Sequence, residues 1–182
     1  TGRHKHRFKW WWAVLAFAVA ALVLGLVGGW AAAGSIPALQ ARVNDYAHLL
    51  TPATAKSLEK ALLEFEKSDS TQIVVLTVTS LEGESLAGYS LKVAETWKVG
   101  QEGLDNGAIL LIAKKERKVR IEVGYGLEGS LTDMISGRII RNVIVPAFKA
   151  GNFDQGVANG VAAMMAAVKG EYQAPAAKDR TR

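Results

Sequence analysis

AILLIAKKERKVRIEVGYGLEGSLTD, residues 108–133, is the stretch on which the fold turns. Six apolar residues from Ala108 to Ala113 run without a polar interruption, as strands covered on both faces do. KKERK at 114–118 is a charged turn, after which Val119, Arg120, Ile121, Glu122 and Val123 alternate as a returning strand. The two runs make a hairpin. Gly124, Gly126 and Gly129 follow the second strand, with Glu128 in the glycine loop and Asp133 at the start of a helix. Glycines there let the backbone bend and approach a neighbour or ligand closely.

Upstream, QIVVLTVT at 72–79 is a second apolar strand, rich in β-branched residues. Thr51-Pro52 starts a helix, with a hydroxyl cap and proline in the first turn. Leu58, Leu62 and Phe65 then recur at helical spacing, giving a helix over 52–67. Leu86, Tyr89, Val93 and Trp97 line a second helix ending near Gly100. Downstream, Ile135, Ile139, Val143 and Ile144 predict a third helix stopped near Pro146. A fourth, capped by Asp154, runs through Val157, Val161, Met164, Met165 and Val168. Residues 35–50 read as a lead-in of mixed character, and 173–182 as a disordered polar tail. Buried strands alternating with amphipathic helices predict an α/β fold: a three-layer α/β/α sandwich with a central mixed β-sheet.

Residues 10–33 contain no charge. This stretch exceeds the roughly 20 residues needed to cross a bilayer as a helix. Arg3, Lys5, Arg7 and Lys9 precede it, an arrangement that keeps the N-terminus in the cytoplasm and exports the rest. Trp10–Trp12 and Trp30 sit where interfacial belts would fall. Ala31-Ala32-Ala33 before Gly34 also fits a cleavage site, in which case residues 1–34 are a signal peptide. The expectation is a domain over 35–172, tethered outside the cytoplasm (periplasmic or extracellular), or secreted if the segment is cut.

The net charge of +5 divides into +4 over residues 1–33, +2 over 173–182 and −1 over 34–172. The domain therefore lacks the excess of basic residues that a nucleic-acid surface needs. The chain contains no cysteine, so disulfides, thiolate metal sites and cysteine nucleophiles are excluded.

Gly124-Tyr125-Gly126-Leu127-Glu128-Gly129 spells the G-x-G-x-x-G of a dinucleotide loop. Glu128 would oppose the pyrophosphate, and 143–149 lacks the acid that binds ribose. The preceding strand also belongs to a hairpin. No dinucleotide is expected. Glu128 and Asp133 read instead as oxygen ligands, facing Asp105-Asn106 at the same sheet edge across the hairpin. Carboxylate, carbonyl and amide oxygens suit calcium, or magnesium. Ordinary turn and cap chemistry is the competing explanation: Asp105-Asn106 as a turn, Asp133 as a helix cap. Nucleophilic catalysis has little to draw on. His4 and His6 precede the hydrophobic segment, His48 stands alone in the lead-in, and there is no G-x-S-x-G.

Val43-Asn44-Asp45, the 72–79 strand, Asp105-Asn106-Gly107, residues 119–129, Leu131-Thr132-Asp133, Pro146-Ala147-Phe148 and Phe153-Asp154-Gln155-Gly156 together resemble the TPM domain family in that order. The resemblance spans about residues 36–172. It implies an α/β/α sandwich that is exported, usually membrane-tethered, and associated with divalent-cation binding in an acidic cleft. Carried over, that cleft would comprise Asp45, Asp105, Asn106, Glu128 and Asp133. Some members carry a phosphatase label, and others are linked to maintenance or assembly of membrane complexes. Many bacterial members continue into a second membrane segment and a glycine-rich tail, whereas residues 173–182 here are short and polar. Two functions follow as expectations. One is a calcium-binding accessory module for an envelope partner. The other is a metal-dependent phosphatase in which a carboxylate such as Asp105 would act as the base.

Overall fold

The structure, a computed structural model, describes residues 35–173. The chain divides into two units, Thr1–Ser35 and Ile36–Arg182, and the second is described here. The expected hydrophobic helix over 10–33 and nearly all of the expected tail lie outside the described residues. Among those described, no helix is long and apolar enough to cross a membrane.

Four strands form one mixed sheet in the order β1-β2-β3-β4. They are β1 (Val43–Asp45), β2 (Gln72–Val78), β3 (Gly107–Ala113) and β4 (Lys118–Val123). β1, β2 and β3 run parallel, while β4 returns antiparallel to β3 with Ala108 opposite Val123 and Ala113 opposite Lys118. The hairpin read from the sequence is present. β3 is buried along its whole length, because helices cover both of its faces.

Alternation along the strands sorts their side chains into two hydrophobic clusters. Ile73, Val75, Leu110, Ile112 and Ile121 point to one face, where Leu58, Leu62 and Phe65 of α1 (Pro52–Asp69) meet Val157, Val161 and Met164 of α5 (Phe153–Val168). Val74, Leu76, Ile109 and Leu111 point to the other face, against Tyr89, Val93 and Trp97 of α2 (Leu86–Trp97). Trp97 also donates its indole N–H to Pro37 O at 2.8 Å, fastening the chain's entry to that face.

Three sequence expectations need correction. Residues 35–50 are not wholly irregular. Val43–Asp45 is an edge strand, three residues long and carrying Asn44 and Asp45, too short and polar for an apolar pattern to reveal. The third helix does not stop at Pro146. α3 (Asp133–Ile139) passes through a π-turn (Ile140–Ile144) into α4 (Val145–Lys149), with Pro146 in its first turn. The first turn of a helix needs no N–H from proline, and the π-turn resets the register just before it. Asp154 does not cap α5. Asn152 occupies the cap position, and Asp154, in the first turn, accepts Thr51 N–H at 2.8 Å.

Candidate functional site

The polar residues quoted in the family resemblance occupy both ends of the sheet. At the carboxyl end of β1, Asp45 is held by three donors. Its Oδ1 accepts Leu49 N–H at 3.0 Å and the Thr77 hydroxyl, and its Oδ2 accepts Leu50 N–H at 2.9 Å. Asn44 beside it is 4% exposed. Its amide oxygen takes Gln40 N–H at 2.9 Å and its amide nitrogen donates to Ala41 O at 2.7 Å. One side chain therefore pins the chain entering β1, and the next pins the loop leaving it.

At the other end, Asp105 and Asn106 lead into β3. Asp105 takes a left-handed backbone, φ +47°, so the tight turn expected here is centred on the acid. Asn106 accepts Gln101 N–H at 2.8 Å and donates to Ser70 O at 2.7 Å. Across the hairpin, the glycine loop folds onto this turn. Gly124 N–H donates to Gly107 O at 2.8 Å, and Gly126 N–H to Asp105 O at 3.1 Å. A Cβ on Gly124 would collide with Asp105 O, and one on Gly126 with Leu104 O. Both glycines are present so that two backbones can touch; neither is among the residues with positive φ. The loop is a 3₁₀ turn, Tyr125–Leu127, anchored by buried Leu127 and Leu131. The G-x-G-x-x-G is thus explained by packing against residues 104–107.

Asp105, Glu128 and Asp133 are exposed, and among the described residues their carboxylates have no hydrogen-bond or ion-pair partner. Thr132 caps α3 through Ile135 N–H at 3.2 Å, which leaves Asp133 in the first turn rather than at the cap. Asp133 is near Arg120. That guanidinium is held above its ordinary value chiefly by its hydrogen bond to Glu122, against burial, with the charges of Glu122 and Asp133 adding to it.

Of the five residues the resemblance assigns to one cleft, Asp105 and Asn106 meet the glycine loop that leads to Glu128, Asp133 opens α3 near Arg120, and Asp45 lies at the other end of the sheet. Asp45 pairs with Thr77, and Gly107 pairs with Gln72. Five strand residues, about 16 Å, separate the two levels. Among the described residues, no three acidic or histidine side chains converge on a point where a metal could sit. His48, exposed at φ +49°, lies in the loop after Asp45, at the other end of the sheet from the Asp105 turn.

Sequence reasoning missed a second feature. Where β3 ends and β4 begins, a cleft of about 660 Å³ opens between the hairpin turn and the end of α4. Lys114, Arg117, Lys118 and Lys149 are in its wall, and Val119, Val145, Phe148 and Phe153 supply its apolar surface. The KKERK turn was visible in sequence, but nothing there places Lys149 and Phe153 beside it.

Residues 43–167 match the family described as TPM domain. Three solved structures share the fold. One is the solution structure of the N-terminal domain of a protein from P. gingivalis, 36% identical over 71% of this chain and 82% of that one, with a TM-score of 0.66. Another is BA42 from the psychrophilic bacterium Bizionia argentinensis, 26% identical over 70% and 86%, with a TM-score of 0.57. The third, the N-terminal domain of cg2496 from Corynebacterium glutamicum, is 18% identical over 80% and 89%, with a TM-score of 0.55, and bears on the fold alone. No curated protein sequence matches the chain.

Proposed function

The chain belongs to the TPM domain family, and we propose that it works as a divalent-cation binding module, tethered to a membrane through residues 10–33 and serving an envelope protein complex as an accessory factor. The observation that carries this reading is the set Asp105, Glu128 and Asp133. These are three exposed carboxylates without a partner among the described residues, beside a loop whose backbone folds closely on the Asp105 turn. Exposed carboxylates that hold no hydrogen bond or ion pair keep their oxygens open to a cation.

Calcium fits that donor set better than magnesium. It accepts six to eight oxygens in irregular geometry, whereas magnesium demands a near-ideal octahedron. The carboxylates are not gathered in advance, so carbonyls and water would complete the shell. Such a composition belongs to weak sites, with dissociation constants on the order of 0.1–1 mM. Asp45 is left out of the set, because its oxygens hold the loop at the opposite end of the sheet.

Thermal melting of the purified chain tests the reading. With a site of about 1 mM, 10 mM calcium stabilises the fold by roughly 1.4 kcal/mol, a rise in Tm of about 5 °C. Glu128→Gln should remove most of the rise. An unchanged Tm at 10 mM calcium would sink the cation site. Turnover of a phosphomonoester by the calcium-loaded chain, lost in Asp105→Asn at unchanged stability, would replace the accessory module with a phosphatase. For the tether, a mature N-terminus near Gly34 would replace the anchor with a cleaved signal peptide.

A further inference from the structure

We propose that the cleft between the β3–β4 turn and the end of α4 binds a single-chain anionic amphiphile, a molecule with one negative head and an aliphatic body. The site lies at the opposite end of β3 from the acidic edge, so it does not depend on the cation reading. Its walls are unusual in charge. Lys114, Arg117, Lys118 and Lys149 line about 660 Å³ of space, and none of the cleft's lining residues is acidic. Among the described residues, Arg117, Lys118 and Lys149 are in no ion pair, while Lys114 donates to Ala47 O at 3.0 Å. Four cations around one recess repel one another, and an anion placed among them relieves that repulsion.

The interior is apolar. Val119, Val145 and Phe148 line it, and Phe153, 37% exposed, stacks obliquely on Phe148 with ring centroids 5.1 Å apart. A volume of this size lies within the range of small-molecule sites, roughly 300–1,000 Å³. An adjoining recess of about 330 Å³ exposes the start of α5, which no side chain caps. Its positive dipole end is met by the negative charge of Asp154 in the first turn. The acid of that recess, Asp154, already has Oδ1 engaged by Thr51 N–H. Cations at the mouth and an apolar floor select a ligand with both features. A small inorganic anion would leave the floor wet, and a neutral chain would leave the lysines unpaired.

The probe is octanoate below its micelle concentration, titrated into the whole chain and followed by NMR at the Leu49, Val119 and Val145 methyls. Saturable shifts confined to these groups are expected, with binding at least tenfold weaker for acetate, which lacks the body. Octyl glucoside, which lacks the charge, should likewise bind at least tenfold more weakly. Raising sodium chloride to 0.5 M should weaken octanoate several-fold through screening. The double variant Lys118→Glu, Lys149→Glu and the single variant Phe153→Ser should each lose at least tenfold in affinity. Equal binding of octyl glucoside would overturn the ionic half of the proposal, and equal binding of acetate the apolar half. No saturable shift would remove the site. Binding to anionic vesicles without any octanoate shift would replace it with a membrane contact.

Discussion

Asp45→Asn separates the structural role of this residue from the ligand role that its family position implies. The native carboxylate accepts Leu49 N–H and the Thr77 hydroxyl on one oxygen and Leu50 N–H on the other. An amide keeps one acceptor and turns the second into a donor, so its NH₂ faces Leu50 N–H. One charge-assisted hydrogen bond is lost, typically about 1.5–3 kcal/mol. Leu50 is only half-buried, so water recovers part of this and the low end, about 2 kcal/mol, applies. For a domain of this size that is roughly 8 °C in Tm. The assay is urea unfolding followed by circular dichroism, once in EDTA and once in 10 mM calcium. The cost should be the same in both, because the bonds it removes involve no metal. A variant as stable as wild type in EDTA, yet impaired only with calcium, would refute the assignment and add Asp45 to the proposed cation ligands.

Two further outcomes follow from the same geometry. Gly126→Ala forces a Cβ into Leu104 O and should cost about 1–3 kcal/mol, the usual range for overpacking, whereas Gly129→Ala meets nothing within 4 Å and should be near neutral. Equal effects in chemical denaturation would contradict the account of the glycine loop. Burial alone would raise the Glu116 carboxyl, but hydrogen bonds from Leu81 N–H and the Ser80 hydroxyl, with Lys115 nearby, hold it below its ordinary 4.5. A depressed carboxyl stabilises the fold above its unfolded value and loses that contribution as pH falls through the folded one. Melting temperature should therefore decline below about pH 4.5 more steeply in wild type than in Glu116→Gln, and parallel curves would remove Glu116 from the acid response.

The strands legible in sequence were those in which burial leaves a one-letter signature. β2 and β3 are covered on both faces, so their apolar runs announced them, and Leu58, Leu62 and Phe65 marked α1 by spacing. β1 left no such trace, because Val43-Asn44-Asp45 pairs with β2 on one side only and its polar residues bond to loops rather than to a core. Pro146 misled for a local reason: the rule that proline ends a helix does not anticipate a π-turn that restarts the register. The acidic edge was readable as far as hairpin geometry reaches, since antiparallel pairing of β3 and β4 places the Asp105 turn beside the glycine loop. Asp45 could not be placed that way. Its level in the sheet depends on a parallel pairing with β2, which no short-range pattern encodes. The basic cleft was hidden for the same reason, being assembled from a hairpin turn and a helix end more than thirty residues away.

The two outer strands of the sheet bear on solubility. β1 offers only three residues for another chain to pair with, and β4 carries Lys118, Arg120 and Glu122 on alternate positions, the last two locked together at 2.6 Å. A second molecule adding edge to edge along β4 would have to bury that fixed ion pair against its own copy, which is how natural sheets resist fibril growth. Replacing Arg120 and Glu122 with valine would leave an almost uninterrupted apolar strand on an open edge, the pattern that seeds cross-β aggregation. The charges on β4 thus oppose growth of the sheet beyond its four strands.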